Sequence, residues 1–121
     1  MVAEDPDVTN STWERLVDHQ LQDMKGVIAT NDIGEMVGFA HYVLSHNTWS
    51  VEKGCYLEDL FVKENCRGQQ IGRKLIQALA DMVKLNGWSR LFWVTTSDNI
   101  PAQQLYNSIA KKTDLIQYRM I

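Results

Sequence analysis

The chain is poor in cysteine and proline, with two of each in 121 residues. Cys55 and Cys66 are too few for a disulfide framework, and a chain of this length can bury one core without such staples. The three histidines, His19, His41 and His46, form no ligand cluster with them. There is no Cys-x-x-Cys or similar local pair of the kind zinc sites use, so no metal is expected. No apolar run approaches the roughly 20 residues of a membrane span, and no membrane partner is expected. The start, Met-Val-Ala-Glu-Asp-Pro-Asp, is acidic and lacks the basic and apolar stretches of a signal peptide. An excess of positive charge is also missing. The formal charge is -3 and the pI about 5.5, which argues against a nucleic-acid partner and fits a cationic one better. Reduced thiols and the lack of a targeting segment make the cytoplasm the expected location.

What is present fits one soluble domain over 1–121. Apolar residues make up 45% and charged residues 22%, near the globular average. Ser11, with Glu14 three residues on, has the form of a capping box. Trp13, Leu16, Val17, Leu21 and Met24 follow at helical spacing, and Gly26 ends the expected helix. Val27 to Thr30 reads as a short strand, Asn31 to Gly34 as a turn and Met36 to Ser45 as a longer strand. His46 to Gly54 is a polar loop carrying Trp49. Tyr56 to Val62 is a third strand. Regular alternation puts Tyr56, Glu58, Leu60 and Val62 on one face and Leu57, Asp59 and Phe61 on the other.

Lys63 to Gln70 is a polar loop. Ile71 to Asn86 is the strongest helix, with Ile71, Leu75, Leu79, Met82 and Val83 as its apolar stripe and Gly87 as its cap. A fourth strand is expected at Leu91 to Thr96, a second helix from Pro101 to about Ala110, and a final strand at Leu115 to Ile121. Strands joined by both hairpins and crossovers make this an α+β fold with a mixed sheet.

Arg67-Gly68-Gln69-Gln70-Ile71-Gly72 joins the third strand to the long helix. Unpaired N–H groups and the dipole at a helix start suit a pyrophosphate. Arg67 and Arg73 flank the loop and can pair with phosphate oxygens. Neither the P-loop nor the dinucleotide fingerprint is present, and on its own the loop reads equally well as a tight turn. Asp98-Asn99-Ile100-Pro101-Ala102-Gln103-Gln104-Leu105-Tyr106 follows the fourth strand. There Tyr106 lies on the side of the core stripe, where a tyrosine is more often a packing residue than a catalyst.

Taken in order, Arg-Gly-x-x-Ile-Gly and Asp-Asn-x-x-Ala-x-x-Leu-Tyr resemble the GNAT superfamily of acyl-CoA N-acyltransferases, over about Gly26 to Ile121. Trp49 followed by Tyr56-Leu57-Glu58-Asp59-Leu60-Phe61-Val62 is similar to the diamine (spermidine/spermine) acetyltransferases and to the branch that acetylates histones and other proteins. The resemblance implies a GNAT-like, mostly antiparallel mixed sheet flanked by helices, here lacking the usual first strand and helix. It implies acetyl-CoA as cosubstrate. The main chain of Arg67, Gly68, Gln69, Gln70, Ile71, Gly72 and Arg73 would hold the pyrophosphate. Leu60, Phe61 and Val62 would pair with the pantetheine arm, in a cleft where the third and fourth strands splay. Asn99 and Ala102 would meet the cofactor, and Tyr106 would sit near its sulfur.

The implied activity is acetyl transfer to a primary amine of a cationic small molecule, polyamine or amino-acid-like. Alternatives are a protein lysine or N-terminal acetyltransferase and a non-catalytic acyl-CoA-binding module. An ammonium with a pKa of about 10 must lose a proton before attack. Glu58 is the candidate base, directly or through water, and Tyr106 the candidate acid for the leaving thiolate. Glu58 could also be a solvated or cross-paired charge. Asp59 reaches the same site only if the strand bulges. Trp49 could wall an amine pocket by cation–π contact or pack over the sheet edge. The family usually has glycine where this chain has Gln70, so a positive φ there would strain the backbone. An uncovered edge strand favours a homodimer.

Overall fold

A computed structural model describes residues 12–16 and 24–121. Five strands form one sheet in the order β1-β2-β3-β4-β5: β1 is Thr12–Leu16, β2 Met24–Thr30, β3 Met36–Ser45, β4 Gly54–Val62 and β5 Arg90–Phe92. The first four are antiparallel neighbours, and β5 runs parallel to β4. Two helices follow β4, α1 at Ile71–Asn86 and α2 at Ile100–Ile109. The sheet is thus mixed and mostly antiparallel, and the fold α+β.

The expected helix from Ser11 is overturned within the described residues. Thr12–Leu16 is a strand, paired with β2 from Thr12↔Ala29 to Leu16↔Lys25. Thr and Trp favour extended backbone, and a ladder beside β2 meets the backbone's hydrogen-bonding needs better than a few turns of isolated helix. Met24 to Gly26, the expected end of that helix, belong to β2, and 17–23 lie outside the described residues. The turn at Asn31 forms as expected: Asn31 Oδ1 accepts from the N–H of Ile33 (3.1 Å) and Glu35 (2.9 Å), and Gly34 takes a φ of +86°.

Along β3, Ala40, Tyr42 and Leu44 are buried, while Phe39, His41 and Val43 on the other face are half-buried. The buried face meets Ile71, Leu75, Ile76 and Leu79 of α1, and together with Val27, Ala29, Val37, Cys55 and Leu57 these form the core. Gly38 lets the helix come close. A Cβ there would lie 2.9 Å from the Phe61 carbonyl oxygen and 3.1 Å from Ile71 Cγ2. At the far end of α1, Gly87 (φ +71°) donates to the Lys84 carbonyl, and Trp88 donates to Val83 at 3.0 Å. This is a left-handed helix stop.

Two other expectations change. The fourth strand is shorter than Leu91 to Thr96. It ends at Phe92, and Trp93 turns to meet the Tyr106 ring edge-on at 5.3 Å. Leu115 to Ile121 is not a strand, and its apolar side chains are exposed. Alternation supplies a strand with faces, but its ladder must come from a neighbouring edge. Among the described residues no strand pairs with this segment.

Candidate functional site

The site is organised by a bulge in β4. His41 pairs with Asp59 and Tyr42 with Leu57, so Glu58 is an extra residue opposite no partner. The insertion inverts the alternation after it. Leu60 and Val62 come to the face of Cys55 and Leu57 and pack on the core, whereas Asp59 and Phe61 share the opposite face with Tyr56. The face assignment read from regular alternation is therefore corrected. The bulge is also the condition under which Asp59 could serve the same site as Glu58. Both carboxylates are exposed. Asp59 Oδ2 lies 3.5 Å from His41 Nδ1. Phe39 packs beside the pair, its ring centre 4.6 Å from His41 and 5.3 Å from Phe61.

Beside the bulge the sheet opens. β4 and β5 pair only at Gly54↔Arg90, Cys55↔Leu91 and Tyr56↔Phe92. From Leu57 to Val62 that edge of β4 has no neighbouring strand among the described residues. This is the splay expected between the third and fourth strands, and it runs through Leu60, Phe61 and Val62.

The loop beyond β4 leads to the start of α1. A single 3-10 turn, Glu64–Cys66, precedes Arg67, and Gly68 has a φ of +88°. A Cβ at Gly68 would meet nothing within 4 Å, so the main chain is open there. Gln70 is the N-cap of α1, with a left-handed φ of +66° and no side-chain capping bond. The first helical bond is from Lys74 N–H to the Gln70 carbonyl at 3.0 Å, which leaves the N–H groups of Ile71, Gly72 and Arg73 without partners inside the helix. Ile71's side chain is core, so it can meet a ligand only through its backbone. Gly72 stays close to the cleft: a Cβ on it would sit 3.8 Å from Leu60 Cδ2 and 3.9 Å from Val62 Cγ2.

Both arginines are partly committed. Arg67 Nε donates to the Val62 carbonyl (3.3 Å). Arg73 Nε donates to Gln70 Oε1 (2.9 Å) and its Nη2 to Ser108 Oγ (2.8 Å), tying α1 to α2. Gln69 lies half-buried within the loop. The open main chain and the unpartnered helix N–H groups fit a pyrophosphate.

Asn99 caps α2: its Oδ1 accepts from Ala102 N–H at 3.3 Å. The family resemblance implied both residues as cofactor contacts, and here they spend one oxygen and one N–H on each other. Gln103 Nε2 ties the preceding loop down through the Thr96 and Ser97 carbonyls, each at 3.0 Å. Tyr106 is half-buried, and burial raises its hydroxyl pKa above the ordinary 10.0. It packs as an aromatic core residue against Trp93 and keeps its proton at neutral pH.

Trp49 is exposed, but its ring already faces a cation. Arg90 Cζ lies 4.4 Å from the Trp49 centroid and 4.6 Å from that of Phe92, and Phe92 stacks on Tyr56 at 5.1 Å. Sequence reasoning missed Arg90. The available signal was that Arg90 and Phe92 sit two apart in a strand and so share a face. Among the described residues, no group of three or more His, Cys, Asp or Glu is placed to hold a metal ion. Nor is any helix long and apolar enough to cross a membrane.

Strands that part beside a bulge, followed by an open glycine loop at a helix start, make a cleft in the sheet with an exposed helix start beside it. Residues 2–110 match the model of the Acetyltransferase (GNAT) family. The chain belongs to that family, whose cosubstrate is acetyl-CoA. It is 34% identical over 114 residues to the D-amino-acid N-acetyltransferase HPA3 of Saccharomyces cerevisiae, spanning 94% of this chain and 71% of that protein. It is 36% identical over 74 residues to the thialysine N-epsilon-acetyltransferase of Bos taurus, spanning 61% of this chain and only 43% of that protein. A solved integron cassette protein from V. cholerae superposes with a TM-score of 0.73 at 29% identity, covering 82% of this chain and 62% of that one.

Proposed function

We propose that this chain carries an acetyl-CoA-dependent N-acetyltransferase acting on a primary amine of a cationic small molecule. The observation that carries the reading is the bulge at Glu58, which puts two exposed carboxylates where β4 leaves β5. The relatives that acetylate a D-amino acid and thialysine support an amine acceptor.

Acetyl-CoA, when bound, supplies the acyl group as an activated thioester. The main chain of 67–73 would hold its pyrophosphate, helped by the remaining N–H groups of Arg67 and Arg73. The free edge at Leu60, Phe61 and Val62 would take up its amide arm as a strand would, with Asn99 and Ala102 at its border. Glu58 would accept a proton from the incoming ammonium, directly or through water. Asp59 would add negative charge that draws the cation in, and Trp49 would border the acceptor. Tyr106, kept protonated by burial, would return a proton to the departing thiolate. Two protons thus leave the nitrogen, one through Glu58 before attack and one as the amide forms, while one is given to the sulfur; the second proton lost restores Tyr106 by way of solvent.

A homodimer in the cytoplasm completes the proposal. It is supported by the outer edge of β1, which pairs with no strand among the described residues. The deciding experiment is thiol release from acetyl-CoA with spermidine, lysine, a lysine-rich peptide or an aminoglycoside, against a no-amine control. Release that depends on a small amine is expected. Release with the peptide alone would move the acceptor to protein lysines. Acetyl-CoA binding without release from any amine would favour a non-catalytic acyl-CoA module.

A further inference from the structure

We propose that residues 115–121 of one copy add a strand to the outer edge of β5 in a second copy, and that the exchange is reciprocal. This deepens the homodimer reading and rests on it, while moving the contact from β1 to the opposite end of the sheet. Two stretches rich in strand-forming residues lack a ladder. Residues 91–96 are laddered only as far as Phe92, and only on the side of β4. The outer side of β5 faces no strand among the described residues. Residues 115–121 belong to no strand, yet Leu115, Ile116, Tyr118, Met120 and Ile121 are all exposed there. So dense a run of exposed apolar groups marks a contact surface. A strand laid on an open edge would complete both ladders.

The side chains match as well. In extended backbone Ile116, Tyr118 and Met120 share one face, with Gln117 and Arg119 on the other. Beside β5 a hollow of about 210 Å³ opens between α1, β5 and α2. Ala80, Leu91, Trp93 and Ile109 line it, with Arg73 and Gln77 as its polar members. A strand along β5 can turn its apolar face into this hollow. Tyr118 then brings a ring for the apolar wall and a hydroxyl for the polar members.

A second copy is the occupant because the segment leads away from its own body. Gly87 turns the chain at the end of α1 in a left-handed conformation, but α2 ends on Ala110 in an extended one, φ −147° and ψ 175°. Ala110 itself borders the hollow. To enter it, the chain's own segment would have to reverse within 111–114, Lys-Lys-Thr-Asp, which holds neither glycine nor proline. Arg119 Nη2 donates to the Ile121 carbonyl inside the segment, at 3.2 Å. Each copy carries both the loose strand and the open edge. Two copies therefore satisfy each other about a twofold axis, and the assembly closes.

The test reads mass by light scattering after gel filtration, with a variant on each side of the contact. Tyr118→Asp alters an exposed side chain and leaves the core intact. Ala80→Arg puts a long cation into the hollow. We expect wild type at twice the 13.9 kDa chain mass and both variants at the single-chain mass. Amide hydrogen exchange gives a second readout. The outward amides of residues 90–94 should exchange at least about tenfold faster in Tyr118→Asp than in wild type, while those of β3 keep their rates. A doubled mass that survives either substitution would overturn the strand exchange and leave the homodimer to the β1 edge. A halved mass in Tyr118→Asp with unchanged exchange on β5 would place the segment elsewhere and overturn it too. A single-chain mass for wild type would remove both the exchange and the homodimer.

Discussion

Gln70 shows how one residue can be read from sequence and then located in the backbone. A glycine is usual at this point of the family loop, and the chain does take a left-handed φ of +66° there. The strain falls on a residue with a Cβ. Its side chain offers partial compensation through the bond from Arg73. Gln70→Gly should therefore raise stability by no more than about 1 kcal/mol, since relieved strain is partly offset by the added freedom of glycine in the unfolded chain. Urea denaturation measures this, and a loss of stability would mean that the bridge to Arg73 outweighs the strain.

Glu58 and Asp59 are the opposite case: their identities stood out, but their faces did not, because nothing in the alternation announces an extra residue. If Glu58 is the base, Glu58→Gln should lower kcat and remove the acidic limb of the pH–rate profile. If Tyr106 is the acid, the basic limb should lie above pH 10, since burial raises its pKa from 10.0. Tyr106→Phe should then abolish that limb with little change in cofactor affinity. Burial likewise pushes the Cys55 thiol from 9.0 to about 12. The folded state holds that proton more tightly than the unfolded chain, so stability is full below pH 9 and falls as pH rises towards 12. A thiol reagent should label half-buried Cys66 well before Cys55, and equal rates would mean that the core opens freely.

At the scale of elements, periodic burial decided what could be foreseen. α1 was legible to the residue because Ile71, Leu75 and Leu79 mark a single stripe, and the structure buries all three. β3 was legible because its apolar run matches its buried length. The stretch after Ser11 misled because helical spacing of a few apolar residues says nothing of a neighbouring edge, and the ladder with β2 decides the backbone. β5 was read too long: Trp93 and Val94 look like strand residues, but the chain has already left the sheet.

The contact of α1 with the sheet makes a sharp prediction at this scale. Gly38→Ala would place a methyl group 2.9 Å from the Phe61 carbonyl oxygen, a fixed backbone atom. The loss should be about 1–3 kcal/mol, read as a lower denaturation midpoint. Since Phe61 lies on the strand that borders the cleft, acetyl-CoA affinity should fall with it.

For the whole molecule, the order of the two motifs was enough to expose the family and with it the mixed sheet. The register that brings Arg90 beside Trp49 was not legible, because 41 positions of chain separate them and only the parallel pairing of β4 with β5 closes the gap. Light scattering after gel filtration should report twice the 13.9 kDa chain mass if the β1 edge is shared between copies. A single-chain mass would remove the homodimer. Saturating acetyl-CoA should raise the melting temperature, by about 2.7 kcal/mol of linkage at a hundredfold excess over Kd.

The short ladder between β4 and β5 gives one strand two rates of exchange with water. At Gly54–Tyr56 the backbone is bonded on both sides, and its amide hydrogens should be replaced by deuterium only when the sheet itself opens. From Leu57 to Val62, every other amide points away from β3 into a gap with no strand to meet it, and those hydrogens should be lost quickly. The free protein would therefore carry a record of fast and slow sites along these six residues, alternating on either side of the bulge and shifted by one residue at Glu58. A molecule lying in the gap and hydrogen-bonding like a strand would erase that alternation, leaving its outline in the exchange pattern.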